Sequence, residues 1–169
     1  MDKINQKVEL VANIFIILVA LAIGGVLVQK YFLPAPSNQQ VRIEPKIGSQ
    51  MNAPDVNWSE QPKTLVLALR ADCRFCNESV SFYKRIVETV KNENIKLVAV
   101  FPTEIEESAK HLKELGLTNI EVKRSSLNSL QVSGTPTLIL TNNKGEITDY
   151  WVGKLPPDKE TEVLNKLKF

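Results

Sequence analysis

Nineteen consecutive residues, Leu10 to Val28, carry no charge, and Asn13 is the one strongly polar side chain among them. As a helix they would rise about 28 Å, close to the hydrocarbon thickness of a bilayer. A helix lying on a soluble core keeps a polar stripe, and this run has none. A cleaved signal peptide is the competing reading. Its apolar region is usually shorter, about 7–15 residues, and ends in a small-x-small site; here the triplet Ala20-Leu21-Ala22 lies inside the run. The pattern therefore predicts an uncleaved transmembrane anchor at 10–28, behind a short tail at 1–9. Lys3 and Lys7 before the run nearly balance Lys30 after it. A tail this short with two lysines is expected to stay in the cytoplasm, leaving the rest of the chain on the periplasmic or exterior side of the cell membrane.

The chain beyond the apolar run has the size of one ordinary domain. With 43% hydrophobic and 24% charged residues the chain is globular rather than disordered. Its 21 Lys+Arg against 19 Asp+Glu leave a net charge of +2. No basic run with interleaved aromatics occurs, so nucleic acid is not an expected partner. Two cysteines and one histidine are too few for a disulfide framework. A zinc site needs more ligands close by, and His111 lies far along the chain on a predicted helix, where it reads as a surface residue. No metal and no cofactor are expected.

Residues 29–45 read as a proline-rich tether, since proline removes donors and favours extended backbone. The folded domain is placed at 46–169. Ahead of its first strand Ile43, Ile47, Met51, Val56 and Trp58 call for burial as a lead-in. Thr64 to Leu69 is a short continuous apolar run, the pattern of a strand covered on both faces. Cys76, Val80, Tyr83, Val87 and Val90 recur at helical spacing. Ile95 to Phe101 is a second buried strand. Thr103 and Glu106 suggest a capping box, with Ile105, Ala109 and Leu112 facing inward and Gly116 closing the helix. Thr137 to Thr141, the turn Asn142–Gly145, and Glu146 to Val152 form a hairpin. Pro157 opens a last helix with Val163, Leu164 and Leu167 inward. Trp151 and Trp58 read as packing residues. The order β-α-β-α-β-β-α predicts an α/β fold, a mixed central sheet with helices on both faces.

Cys73-Arg74-Phe75-Cys76 falls where the first strand hands over to the first helix. A helix N-terminus stabilises a thiolate through its free N–H groups and partial positive charge. Cys73, nearest that terminus, is expected to be the exposed nucleophile. Cys76 starts the apolar face and is expected to be more buried, resolving the mixed disulfide. Arg74 adds a cation beside Cys73 and Asp72 opposes it. Taken alone, the pair is also compatible with a structural disulfide or half of a metal site. Glu78, Glu104, Glu106 and Glu107 read as solvated helix faces.

Far downstream, Gly134-Thr135-Pro136-Thr137 puts a proline directly before a buried strand, where it cannot donate to a ladder. A cis Thr135–Pro136 bond would make a tight, rigid approach to that strand. A C-x-x-C at a strand–helix junction with a downstream G-T-P-T strand and hairpin resembles thioredoxin. The resemblance covers about Lys46 to Phe169. The lead-in Lys46-Ile-Gly-Ser and the stretch between Gly116 and Pro136 look most like the membrane-tethered redoxin/TlpA class of thiol–disulfide oxidoreductases. The resemblance implies a cis Pro136 facing the dithiol and backbone at Thr135 that pairs with substrate. Arg74 and Phe75, read by themselves, are exposed-loop residues and candidates for substrate contact.

This chain departs from the family in three places. Leu67 stands where thioredoxin carries a buried Asp that assists proton transfer, Asp72 replaces the usual Trp, and Phe75 the usual Pro. These positions tune rate and reduction potential, hence the direction of electron flow. The function implied is disulfide exchange with cysteine-containing extracytoplasmic proteins, coupled to a membrane or soluble electron donor or acceptor. Two other readings share the fold: a thiol peroxidase, which Ala71-Asp72 before Cys73 does not favour, and a non-catalytic docking domain with a permanent disulfide. A copper chaperone ranks below these for want of a histidine or methionine near the pair.

Overall fold

The structure is a computed structural model that describes residues 13–25, 44–53 and 55–168. The chain divides into two units, Met1–Val41 and Arg42–Phe169. In the first, residues 13–25 are helical, with Ile14, Phe15, Ile17 and Leu21 exposed. The ends of the expected 10–28 span, most of the tether, and Ile43 of the lead-in lie outside the described residues. Among the described residues no helix is long and apolar enough to cross a membrane.

The second unit is built on five strands, β1 (Lys63–Ala68), β2 (Ile95–Phe101), β3 (Glu121–Arg124), β4 (Thr137–Asn142) and β5 (Ile147–Val152), in the order β3-β2-β1-β4-β5. β1, β2 and β3 run parallel; β4 and β5 are antiparallel to their neighbours. Four helices join them: α1 (Arg74–Glu78), α2 (Val80–Lys91), α3 (Ile105–Glu114) and α4 (Pro157–Lys168). β1 is central and buried from Thr64 onward, as its unbroken apolar run requires.

The expectation of helices on both faces is not met. Leu65 and Leu67 of β1 point into one core with Tyr83 and Ile86 of α2, Leu112 of α3, and Val163 and Leu167 of α4. Val66 and Ala68 point the other way, toward Met51 and Val56 of the lead-in and Leu130 and Val132 of the β3–β4 connection. Strand order explains this. β1→β2 and β2→β3 step in the same direction, and two right-handed crossovers stepping one way put both helices on one face. The chain then returns across the other face to place β4 against β1.

Local differences have local causes. β3 has no counterpart in the element order expected from the sequence; its four residues, Glu-Val-Lys-Arg, have no apolar run to announce them. The expected helix from Cys76 onward breaks at Ser79, whose Oγ donates to the Phe75 carbonyl at 2.8 Å, so α1 and α2 are separate. Val80 is consequently only half-buried, while Phe82 and Ile86 join the inner face. The Thr103 capping box is absent because α3 starts one residue later, with Glu104 as N-cap. The Thr103 hydroxyl pairs instead with Ser108 Oγ at 2.9 Å. Leu112 faces inward as expected, joined by Ser108, while Ile105 and Ala109 are exposed. In the lead-in Met51 and Val56 are buried and Trp58 half-buried, but Ile47 is exposed. Trp151 is a packing residue whose Nε1 donates to Glu162 at 3.1 Å.

Candidate active site

After β1 the chain turns through Arg70 to Asp72, and Arg70 holds the Asp72 carboxylate with two hydrogen bonds of 3.0 and 2.7 Å. Cys73 comes next, in extended conformation, as the N-cap of α1, and its sulfur accepts the Cys76 N–H at 3.2 Å. The Cys73 thiol also lies 3.3 Å from the Thr135 carbonyl, to which it donates. Thr135 comes from the other side of the sheet, 62 residues away. It is delivered by β4, whose first residue Thr137 pairs with Ala68 at the end of β1. The Thr135–Pro136 bond is cis. Thr137 Oγ1 donates to the Gly134 carbonyl at 2.8 Å, and Gly153 N–H to the Pro136 carbonyl at 2.7 Å, so hydrogen bonds hold the loop on both sides.

The two thiols are free and unlike. Cys73 is half-buried and Cys76 is 4% exposed, within the main core. Burial pushes the Cys73 thiol up, but hydrogen bonding to the side chains of Cys76 and Thr135 and to backbone N–H groups of Cys76 and Phe75 outweighs it. The net direction is down from the ordinary thiol value. The Thr135 carbonyl can only accept, and so works against ionisation. For Cys76 the balance is reversed. Burial, together with the weaker effect of the hydrogen bond with Cys73, pushes its thiol up to about 12.

Arg74 is not the cation beside Cys73. Its side chain is 85% exposed and its guanidinium is paired with Glu78 at 2.7 Å. Arg70, which no sequence pattern singles out, is the cation that couples to both sulfurs. Its charge is largely balanced by Asp72, whose carboxyl is held below the usual range by the Arg70 hydrogen bond. Glu78 is not simply solvated either, since it also accepts from Lys154 at 2.8 Å and so links α1 to the loop after β5. Phe75 lies 52% exposed, two residues after Cys73. His111 is half-buried, edge-on to the Phe101 ring at 6.4 Å and 82°. Nothing in the sequence marks Arg70, whose fold-back onto Asp72 no motif announces, or His111, whose neighbour Phe101 comes from β2. Among the described residues no group of three or more His, Cys, Asp or Glu side chains could hold a metal ion.

The arrangement supplies a half-exposed thiol favoured as thiolate, a buried thiol kept protonated three residues on, and a loop carbonyl beside the first. No family model matches the chain, and no curated protein matches it in sequence. Solved structures do. One is a candidate thiol:disulfide interchange protein DsbE from Chlorobium tepidum, 17% identical over 74% of this chain and 98% of that one, with a TM-score of 0.58. The thioredoxin domain of a thiol-disulfide oxidoreductase from Bacteroides vulgatus is 18% identical over 73% and 98%, with a TM-score of 0.56. StoA from Bacillus subtilis is 17% identical over 73% and 97%, with a TM-score of 0.51. At such identities the likeness is one of fold, and Arg42–Phe169 has the thioredoxin-like fold found in thiol:disulfide interchange proteins.

Proposed function

We propose that this protein is a thiol–disulfide oxidoreductase that exchanges disulfides with extracytoplasmic proteins through Cys73 and Cys76. The observation that carries the reading is the unequal pair: Cys73 at a loop carbonyl and favoured as thiolate, Cys76 buried behind it and held as thiol. Thiolates attack disulfides and thiols do not, so the first bond forms at Cys73. Cys76 then displaces the client sulfur. Thr135 and Pro136 offer backbone to an extended client segment, and Arg74 and Phe75 flank it. Residues 10–28 hold the domain at the cytoplasmic membrane, facing the periplasm or cell exterior, and a membrane or soluble partner supplies or removes electrons.

Trapping tests this directly. Cys76→Ser is expected to accumulate mixed disulfides with client proteins, and Cys73→Ser few or none. In the Cys76→Ser background, Phe75→Ser is expected to lower the trapped yield severalfold. Equal trapping by both single variants would remove the assigned order of attack. No trapping by either, with no reduction of a small disulfide, would leave a docking domain.

A further inference from the structure

Resolution requires Cys76 to give up a proton from inside the core, and its surroundings hold no carboxylate to take it. The cleft behind Cys76 is narrow, with about 10 Å³ of free volume, room for about one water. The titratable or charged side chains that line it are Arg70 from the turn after β1, Cys76 from α1, Tyr83 from α2 and His111 from α3. Arg70 has no acceptor site. Burial pushes the Tyr83 phenol up, which makes it a poor proton donor and no base at neutral pH. Imidazole is the side chain that exchanges protons near neutral pH, and His111 is the one histidine in the chain.

A second observation points into the same cleft. The Tyr83 side chain is 1% exposed, and its hydroxyl has no hydrogen-bond partner. The nearby Ser79 oxygen can accept from the phenol, but its own proton goes to the Phe75 carbonyl, so the Tyr83 oxygen receives no donor. A buried hydroxyl left this way costs about 1–3 kcal/mol unless water satisfies it. Tyr83, His111 and Cys76 thus line one single-water space.

We propose that His111 accepts the proton of Cys76, through one water held by the Tyr83 hydroxyl, as Cys76 attacks the mixed disulfide at Cys73. The assignment rests on the dithiol function proposed for this pair. In the step the Cys76 sulfur forms its bond to Cys73 Sγ, the bond from Cys73 to the client sulfur breaks, and the client leaves as a thiolate with that electron pair. The Cys76 sulfur is oxidised and the client sulfur reduced, so no other redox reagent enters. The proton passes from Cys76 to water while the water gives one to imidazole. In reverse, the imidazolium protonates Cys76 as it leaves. His111 is half-buried, so it returns its proton to solvent on its outer side. It is a positioning and proton-accepting residue, acting through the water.

The test separates the two thiols in one experiment on the full chain in detergent. Reduced protein is mixed with one equivalent of dithiobis(nitrobenzoate). The first release of thionitrobenzoate reports attack by Cys73, and the second reports displacement by Cys76. His111→Gln and His111→Asn are expected to slow the second release on the order of 10²-fold at neutral pH, the lower end of general-base effects. The first release should stay within about twofold, because His111 lines the cleft behind Cys76 while the Cys73 sulfur sits at the α1 backbone. Native protein should show a solvent deuterium isotope effect on the second phase that both variants lack, a signature that a packing defect does not produce. Tyr83→Phe should slow the second phase alone. A second phase unchanged in the His111 variants, or both phases slowed equally, overturns the assignment. A native protein with no second release at all would instead sink the dithiol reading itself.

Discussion

Cys73 and Cys76 sit three residues apart, yet their sulfurs occupy opposite environments, one between a backbone N–H and a loop carbonyl, the other inside the core. A depressed pKa at Cys73 means its ionised form is already favoured below the ordinary thiol range and is lost only as pH falls through the lower folded value. Alkylation of reduced protein at Cys73 is therefore expected to have its midpoint below that of a cysteine peptide in the same buffers. Cys76 should react only at strongly alkaline pH or after unfolding. A Cys73 midpoint at or above the peptide's would refute the thiolate assignment. The spacing of the pair, its place after a strand, and the burial order were legible in the sequence, because helical periodicity set Cys76 on the inner face. The charges were not. Arg74 is adjacent in sequence and points to Glu78, while the cation that matters is Arg70, folded back by Asp72.

Strands with unbroken apolar runs and the terminal hairpin could be read directly; β3 could not, since it carries charge and forms an edge that needs little burial. Without β3 the strand order is hidden, and with it the reason all four helices share one face. The start of α3 slipped because Thr103 and Glu106 have capping-box spacing, yet Glu104 takes the cap. β1 itself offers a test. Thr64 is fully buried on the face toward the lead-in, and its hydroxyl has no partner, although its carbonyl accepts from Thr141 at 3.3 Å. Thr64→Val keeps the β-branched shape and removes an unsatisfied oxygen. Urea unfolding of this variant is expected to show unchanged stability or a gain of about 1 kcal/mol. A loss of that size would mean the hydroxyl is bonded after all.

At the scale of the molecule, chemistry gathers at one end of the sheet. Cys73 lies just past the end of β1, Pro136 precedes β4, and Thr137 pairs with Val152 at the close of β5. Phe75, Ile105 and Val152 are exposed apolar side chains on segments that meet at this end. The membrane proposal for residues 10–28 is checked on intact cells after mild reduction. A membrane-impermeant maleimide should label Cys73 without permeabilisation, whereas labelling only after permeabilisation would reverse the orientation. The lead-in joins the domain at the other pole, about 20 Å of strand away. There Gly48 N–H donates to the Ile147 carbonyl at 2.8 Å, Ile147 N–H to Ser49 at 2.9 Å, and Met51 N–H to Gly145 at 2.9 Å. A pull transmitted along the chain ahead of Glu44 loads the Tyr150 hydroxyl bond to Glu44 at 3.3 Å and then these three backbone bonds. Such tension enters the domain at β5 and the hairpin tip, at the pole away from Cys73.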